Sequence, residues 1–148
     1  MTYKVRPLNY FDKDWVVDDL GVYTITHDLQ RPELVNTMQL RKLFDLSLQS
    51  VKGFVVESDG KPVGVLGGIQ HGHILNPDHP CYTVLFWFID PTHRKSRAAW
   101  LLLKAVKEFC RENGKELSFA LQTYSLSNTS ALPKLGFEVG ETTYRMKV

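Results

Sequence analysis

A mixed α/β layered domain is the fold this sequence predicts, and three features predict it. The first is an unbroken apolar run, Val84-Leu85-Phe86-Trp87-Phe88-Ile89, as expected of a strand covered on both faces. The second is an amphipathic helix that begins near Ala98. Ala98, Leu102, Ala105, Val106 and Phe109 share one of its faces, and Lys104, Lys107, Glu108, Arg111 and Glu112 the other. The third is a strand in which Leu117, Phe119 and Leu121 alternate with Ser118 and Ala120. Strand, helix and strand from Trp87 to Leu121 have the length of a right-handed crossover between parallel neighbours.

The remaining elements follow in order. Tyr3-Lys4-Val5-Arg6 alternates like a short strand. Asp12 to Tyr23 reads as a helix weakened by Val16-Val17 and Gly21. With Asn36 or Thr37 as cap, Leu40, Leu43, Phe44 and Leu48 recur at helical spacing. Gly53 to Glu57 reads as a strand, Ser58-Asp59-Gly60-Lys61-Pro62 as a tight turn, and Val63 to Ile69 as the returning strand. Asn76-Pro77-Asp78-His79-Pro80 punctuates a second hairpin. Asn113-Gly114 ends the long helix, because glycine takes the left-handed conformation freely. A short helix is expected from about Ser130 to Leu135, with Pro133 in its first turn. Tyr144-Arg145-Met146-Lys147-Val148 alternates again, and residues 1–148 are expected to form a single domain.

Composition narrows the class. In 148 residues, 43% are apolar and 23% charged, which suits a soluble globular chain with a core of its own. A net charge of +2 is too small for the whole surface to attract nucleic acid, although His93-Arg94-Lys95-Ser96-Arg97 is a short basic cluster. The two cysteines, Cys81 and Cys110, read as free thiols in a reducing compartment. There is no signal-peptide apolar core, and no apolar run approaches the roughly 18 residues of a membrane span. The expectation is a cytoplasmic protein without a membrane partner.

Chemistry concentrates in one loop. The buried strand ends at Ile89, and Asp90-Pro91-Thr92-His93-Arg94-Lys95-Ser96-Arg97-Ala98-Ala99 leads into the helix. A helix N-terminus presents unpaired N–H groups and a partial positive charge. Arg94, Lys95 and Arg97 add donors and charge there, while Ala98 and Ala99 are small enough for a ligand to approach the backbone. Cations beside the positive end of a helix are unfavourable unless an anion joins them. The composition suits a diphosphate.

At this loop the chain resembles the GNAT N-acetyltransferase superfamily. That family's acetyl-coenzyme A loop runs V-x-P-x-x-R and then R/Q-x-x-G-x-G/A. Here Ile89-Asp90-Pro91-Thr92-His93-Arg94 is followed, with overlap, by Arg94-Lys95-Ser96-Arg97-Ala98-Ala99. A later family motif, N-x-x-A-x-x-Y-x-x-x-G-F or a near variant, is similar to Asn128-Thr129-Ser130-Ala131 followed by Leu135-Gly136-Phe137. The resemblance implies a GNAT-like acyl-CoA N-acyltransferase fold, with a central mixed sheet flanked by helices. It also implies acetyl-CoA as co-substrate. The backbone of Phe88 and Ile89 would pair with the pantetheine arm, the N–H groups from Arg94 to Ala99 would hold the pyrophosphate, and Asn128 would touch the pantetheine. Transfer would be direct, a neutral amine attacking the thioester carbonyl.

Two departures bear on catalysis. Arg97 replaces the first glycine of the loop, and Leu132 stands near the family's usual tyrosine, which protonates the leaving thiolate. A thiolate with a pKa near that of free cysteine leaves unaided at modest cost, and Tyr124 is the substitute candidate. The family often places a glutamate base midway along the long strand. The corresponding stretch here, Tyr82-Thr83-Val84, has no carboxylate. His71 and His73 are two residues apart and would share one face of a strand, folded back toward Cys81, Tyr82 and Thr83. Imidazole titrates near neutrality and suits proton abstraction from an ammonium, which makes both histidines candidate bases. A solvent-facing hairpin is the plainer role for them.

Other clusters carry less. His71, His73, Asp78, His79 and Cys81 have zinc-compatible residue types, but their spacing matches no closed structural pattern, so no metal is expected. Asp18, Asp19 and Asp28 offer an acidic rim to a cationic acceptor, or merely a solvated face. Trp15, Trp87 and Trp100 suit core and crevice lining. Two functions follow from the resemblance. One is an N-acetyltransferase acting on an amine of a small molecule or protein; the other is a catalytically silent GNAT-like domain that binds the cofactor or a protein partner. A homodimer is compatible with either.

Overall fold

The computed structural model describes residues 2–50, 53–118, 133, 136–140, 144 and 146. Among these residues five strands form one sheet in sequence order. β1 (Tyr3–Pro7), β2 (Phe54–Ser58), β3 (Lys61–His73) and β4 (Asn76–Ile89) are successively antiparallel, and β5 (Glu116–Ser118) lies parallel to β4. Mixed pairing is therefore as expected, with α2 (Ala98–Glu112) as the crossover between β4 and β5.

Alternation along the strands builds two cores. Val56, Val63, Leu66, Tyr82 and Ile89 pack against Ala98, Leu102, Leu103, Val106 and Cys110 of α2. Val55, Val65, Phe86 and Phe88 point the other way and meet Phe44 of α1 (Thr37–Ser50) and Val16, Val17 and Leu20. β4 contributes to both cores at its C-terminal end, which is why that stretch is apolar without alternation. Burial on α2 reaches Leu103 and Cys110, while Ala105 and Phe109 are half-buried, so the packed stripe is rotated from the one the sequence suggests.

Several local readings hold. Asn36 caps α1, its Oδ1 accepting from the Gln39 N–H at 3.0 Å. Asp59 and Gly60, with φ of 52° and 84°, make the two-residue turn between β2 and β3. Gly114, at φ 63°, follows the end of α2.

Two readings change. The second hairpin turns at Ile74-Leu75, and Asn76–Pro80 belongs to β4 rather than to the turn. Among the described residues β5 pairs with β4 only from Cys81, so Pro77 and Pro80 sit where no neighbour on that side needs their missing N–H. The first helical segment runs past Tyr23 to Asp28 and includes two π-helical turns, Trp15–Gly21 and Thr24–Asp28. A Cβ on Gly21 would come within 2.8 Å of the Val16 carbonyl oxygen, so glycine is what lets this wider turn pass.

Between β3 and β4 the register shifts. Phe86 lies opposite Gly67 and Val84 opposite Gly68, leaving Leu85 as the extra residue of a bulge. Aromatic rings of β4 fill the space over both glycines. A Cβ at Gly67 would fall 2.3 Å from Phe86 Cζ, and one at Gly68 would fall 2.6 Å from Tyr82 Cε1. No helix among the described residues is long and apolar enough to cross a membrane.

Candidate active site

The loop between β4 and α2 is held by its own side chains. Asp90 Oδ1 accepts from the Thr92 N–H at 3.0 Å and from the Thr92 hydroxyl at 2.7 Å, which starts a 3-10 turn over Pro91–His93. Burial pushes the Asp90 carboxyl up, but the two bonds from Thr92 outweigh it and hold the group below its ordinary value. Ser96 Oγ donates to the His93 carbonyl at 2.5 Å and accepts from the Ala98 N–H at 3.1 Å. Arg97 occupies the N-cap position of α2 and makes no side-chain cap. By helix geometry the next N–H groups, those of Ala99 and Trp100, lack an intrahelical acceptor.

The loop's cations divide. Lys95 and Arg97 are exposed and make no ion pair among the described residues. Arg94 instead turns inward: its Nε donates to the Ile89 carbonyl at 3.0 Å, its Nη1 to Asp28 Oδ1 at 2.5 Å, and its guanidinium lies 5.7 Å from the centre of the Tyr23 ring. Its Nη2 is buried with no acceptor among the described residues. The expectation that Arg94, Lys95 and Arg97 all offer their side chains to one anion is thus corrected for Arg94, whose charge is matched by Asp28. The same pair removes Asp28 from the acidic rim. Asp18 is likewise engaged, by Arg41 at 2.5 Å, and Asp19 is exposed.

Phe88 and Ile89 are buried, with their backbones facing Val65 and Gly64 of β3. On the opposite edge, the described pairing of β4 with β5 covers Cys81, Tyr82 and Thr83 only, and β4 runs on to Ile89. Of the cofactor-loop candidates, Phe88, Ile89, Arg94, Lys95, Ser96, Arg97, Ala98 and Ala99 are described; Asn128 lies outside the described residues. Tyr124 and Leu132 do too.

His71 and His73 have separate surroundings. His71 Nδ1 is 2.8 Å from the Gly72 carbonyl oxygen, and its Nε2 is 2.6 Å from Thr83 Oγ1. A carbonyl only accepts, so Nδ1 bears a proton, and in the neutral ring Nε2 is then the acceptor, with the Thr83 hydroxyl donating to it. Thr83 Oγ1 is also 3.1 Å from Ser118 Oγ on β5. Since the Thr83 proton is already committed, Ser118 donates to Thr83. The result is a directed chain, Ser118 to Thr83 to His71. His73 is elsewhere: its Nδ1 accepts from the Leu75 N–H at 3.0 Å, and its ring lies 6.0 Å from that of His79.

Thr83 and Ser118 escaped the sequence reading. Both face outward in alternating stretches, and nothing in a lone threonine or serine marks its partner 35 residues away. Their strands are the only signal the sequence offers, since a parallel register of β4 and β5 is what sets them opposite each other.

Comparison with known proteins shows the family and the fold. Residues 19–137 match the model of the Acetyltransferase (GNAT) family. No curated protein sequence matches the chain. Among solved structures, the chain is similar to a possible acetyltransferase from Clostridium difficile 630, with a TM-score of 0.75 and 12% identity over 100% of this chain and 99% of that one. It is similar to glucosamine-6-phosphate N-acetyltransferase from Arabidopsis thaliana, with a TM-score of 0.69 and 15% identity over 99% of each chain. An aminoglycoside acetyltransferase from an uncultured soil metagenomic sample gives a TM-score of 0.67 and 15% identity over 100% and 99%. These structures share the fold, and the family model covers most of the length, so the chain belongs to the GNAT acetyltransferase family.

Proposed function

We propose that the chain is an acetyl-CoA-dependent N-acetyltransferase, that it forms one functional domain, and that His71 is its general base, acting through Thr83 and Ser118. The observation that supports this is the directed chain of hydrogen bonds ending on His71 Nε2. By the resemblance, the stretch Tyr82-Thr83-Val84 corresponds to that of the family's glutamate, and Thr83 has a proton acceptor one bond behind it.

The cofactor's diphosphate would be received by the Ala99 and Trp100 N–H groups in the first turn of α2, with Lys95 and Arg97 supplying exposed charge. The pantetheine would run beside β4 from Ile89 toward Thr83, six residue steps or roughly 20 Å of extended strand. An ammonium acceptor meeting Ser118 Oγ gives up one proton, the Ser118 proton passes to Thr83, and the Thr83 proton passes to His71 Nε2. The neutral amine then attacks the thioester carbon, the tetrahedral intermediate collapses, and coenzyme A leaves as its thiolate, which takes the surplus N–H proton of the new amide directly or through solvent. An imidazolium results, with both nitrogens protonated, and the Gly72 carbonyl continues to accept from Nδ1. His73 contributes no step, because its Nδ1 is engaged by the turn it closes.

Calorimetric titration with acetyl-CoA, followed by thiol release with a panel of primary amines, tests the proposal. Lys95→Glu and Arg97→Glu are each expected to weaken cofactor binding about tenfold, the equivalent of one modest charge-assisted contact. His71→Gln is expected to slow thiol release about 10²-fold at unchanged cofactor affinity. Binding without acceleration by any amine would leave a silent cofactor-binding domain and end the enzymatic reading.

A further inference from the structure

The same sheet face carries a second cluster, farther from the cofactor loop. His79 and Cys81 on β4 and Glu116 on β5 bring one ligand atom each to within 4.8 Å of one another. Glu116 Oε1 is 3.8 Å from His79 Nε2, and Glu116 Oε2 is 3.9 Å from Cys81 Sγ. The placement follows from register: Cys81 is the direct partner of Glu116, and His79 precedes Cys81 by two residues on the same face of the strand.

We infer that His79, Cys81 and Glu116 form a three-ligand site for one divalent transition-metal ion of zinc-like softness. One nitrogen, one sulfur and one carboxylate oxygen are the donors zinc takes. With bonds of about 2.0–2.3 Å, the edges of a zinc tetrahedron are about 3.3–3.8 Å, so ligand atoms that lie within 4.8 Å of one another need to close by no more than about 1.5 Å. His79 and Glu116 side chains are 50% and 57% exposed and turn freely, while Cys81 is buried and fixes the position of its sulfur. Binding forms the Sγ–metal bond as the thiol proton passes to solvent.

The coordination is open rather than closed. His73 is the next imidazole, but its Nδ1 accepts from the Leu75 N–H, which leaves the ring proton on Nε2, the atom that would have to ligate. Among the described residues no fourth side chain joins the cluster, so water would complete the shell. The third ligand was invisible in the sequence. His79 and Cys81 are two residues apart, whereas Glu116 joins them only through the parallel pairing of β5. The ion would tie β4 to β5 one alternation away from Thr83 and Ser118.

Cobalt titration of the reduced, chelator-treated full-length chain tests the site, with zinc as competitor. One equivalent of Co²⁺ is expected to give a thiolate-to-cobalt charge-transfer absorption that Zn²⁺ abolishes. Cys81→Ser should eliminate that absorption, and Cys110→Ser, in the α2-side core with Tyr82, should leave it intact. His79→Gln and Glu116→Gln change exposed side chains and should each weaken Co²⁺ binding at least tenfold with the circular dichroism spectrum unchanged. Absence of the absorption in the native chain at millimolar Co²⁺, its survival in Cys81→Ser, or unchanged affinity in both exposed variants would overturn the assignment. None of these readouts involves acetyl-CoA, so the site stands or falls independently of the transferase reading.

Discussion

The two halves of β4 obey different rules. From Phe86 to Ile89 the side chains feed two apolar cores, and Phe86 stacks on Phe88 at 5.7 Å between ring centres. From His79 to Thr83 the α1-facing positions are polar and bonded across to β3 and β5: Thr83 to His71 and Ser118, Cys81 and His79 to Glu116. A bulge at Leu85 separates them. The difference teaches that one strand can be rigid by packing at one end and specific by hydrogen bonding at the other, with the packed end fixing where the polar end lies.

Substitutions on each half break this comparison in different observables. The largest effect is expected from Phe86→Ala, which empties a nearly fully buried ring and should cost about 3–5 kcal/mol in denaturant unfolding. Thr83→Val should leave unfolding nearly unchanged while lowering kcat/KM about 10²-fold, close to 3 kcal/mol of barrier, with Thr83→Ser restoring the rate. Equal loss of stability and activity in Thr83→Val would sink the idea that the polar half is catalytic rather than structural. A double-mutant cycle on Asp28→Asn and Arg94→Met should report a coupling of about 2 kcal/mol, between the values for surface and buried pairs. The smallest effect concerns Asp90. Its carboxyl lies below its ordinary value, so its stabilisation is fully present above roughly pH 4 and is lost as pH falls through the lower folded value. Asp90→Asn keeps an acceptor for Thr92 and should flatten the acid limb of melting temperature against pH.

How much of this the sequence disclosed follows a physical line. Periodicity and capping reveal local order, so α1 with Asn36, the Asp59-Gly60 turn and the end of α2 near Gly114 were all legible. The connection from β4 into α2 was legible because its parts are contiguous. Side-chain direction was not: Arg94 sits among cations in the sequence, yet Asp28, 66 residues earlier, draws it inward. Proline misled at Asn76–Pro80, because an unpaired strand edge tolerates it as well as a turn does. Thr83, Ser118 and Glu116 acquire their meaning only from the parallel register between β4 and β5, which no local pattern specifies.

The glycines of β3 beneath the rings of β4 have an evolutionary corollary. Bulk at the first crossing is shared: what Phe86 occupies, Gly67 forgoes, whereas a Cβ at Gly68 would fall 2.3 Å from the Thr83 carbonyl oxygen, so backbone alone holds that position to glycine. In related chains positions 67 and 86 should therefore covary, a larger residue on one strand accompanying a smaller one on the other, and drift at either position alone should be disfavoured.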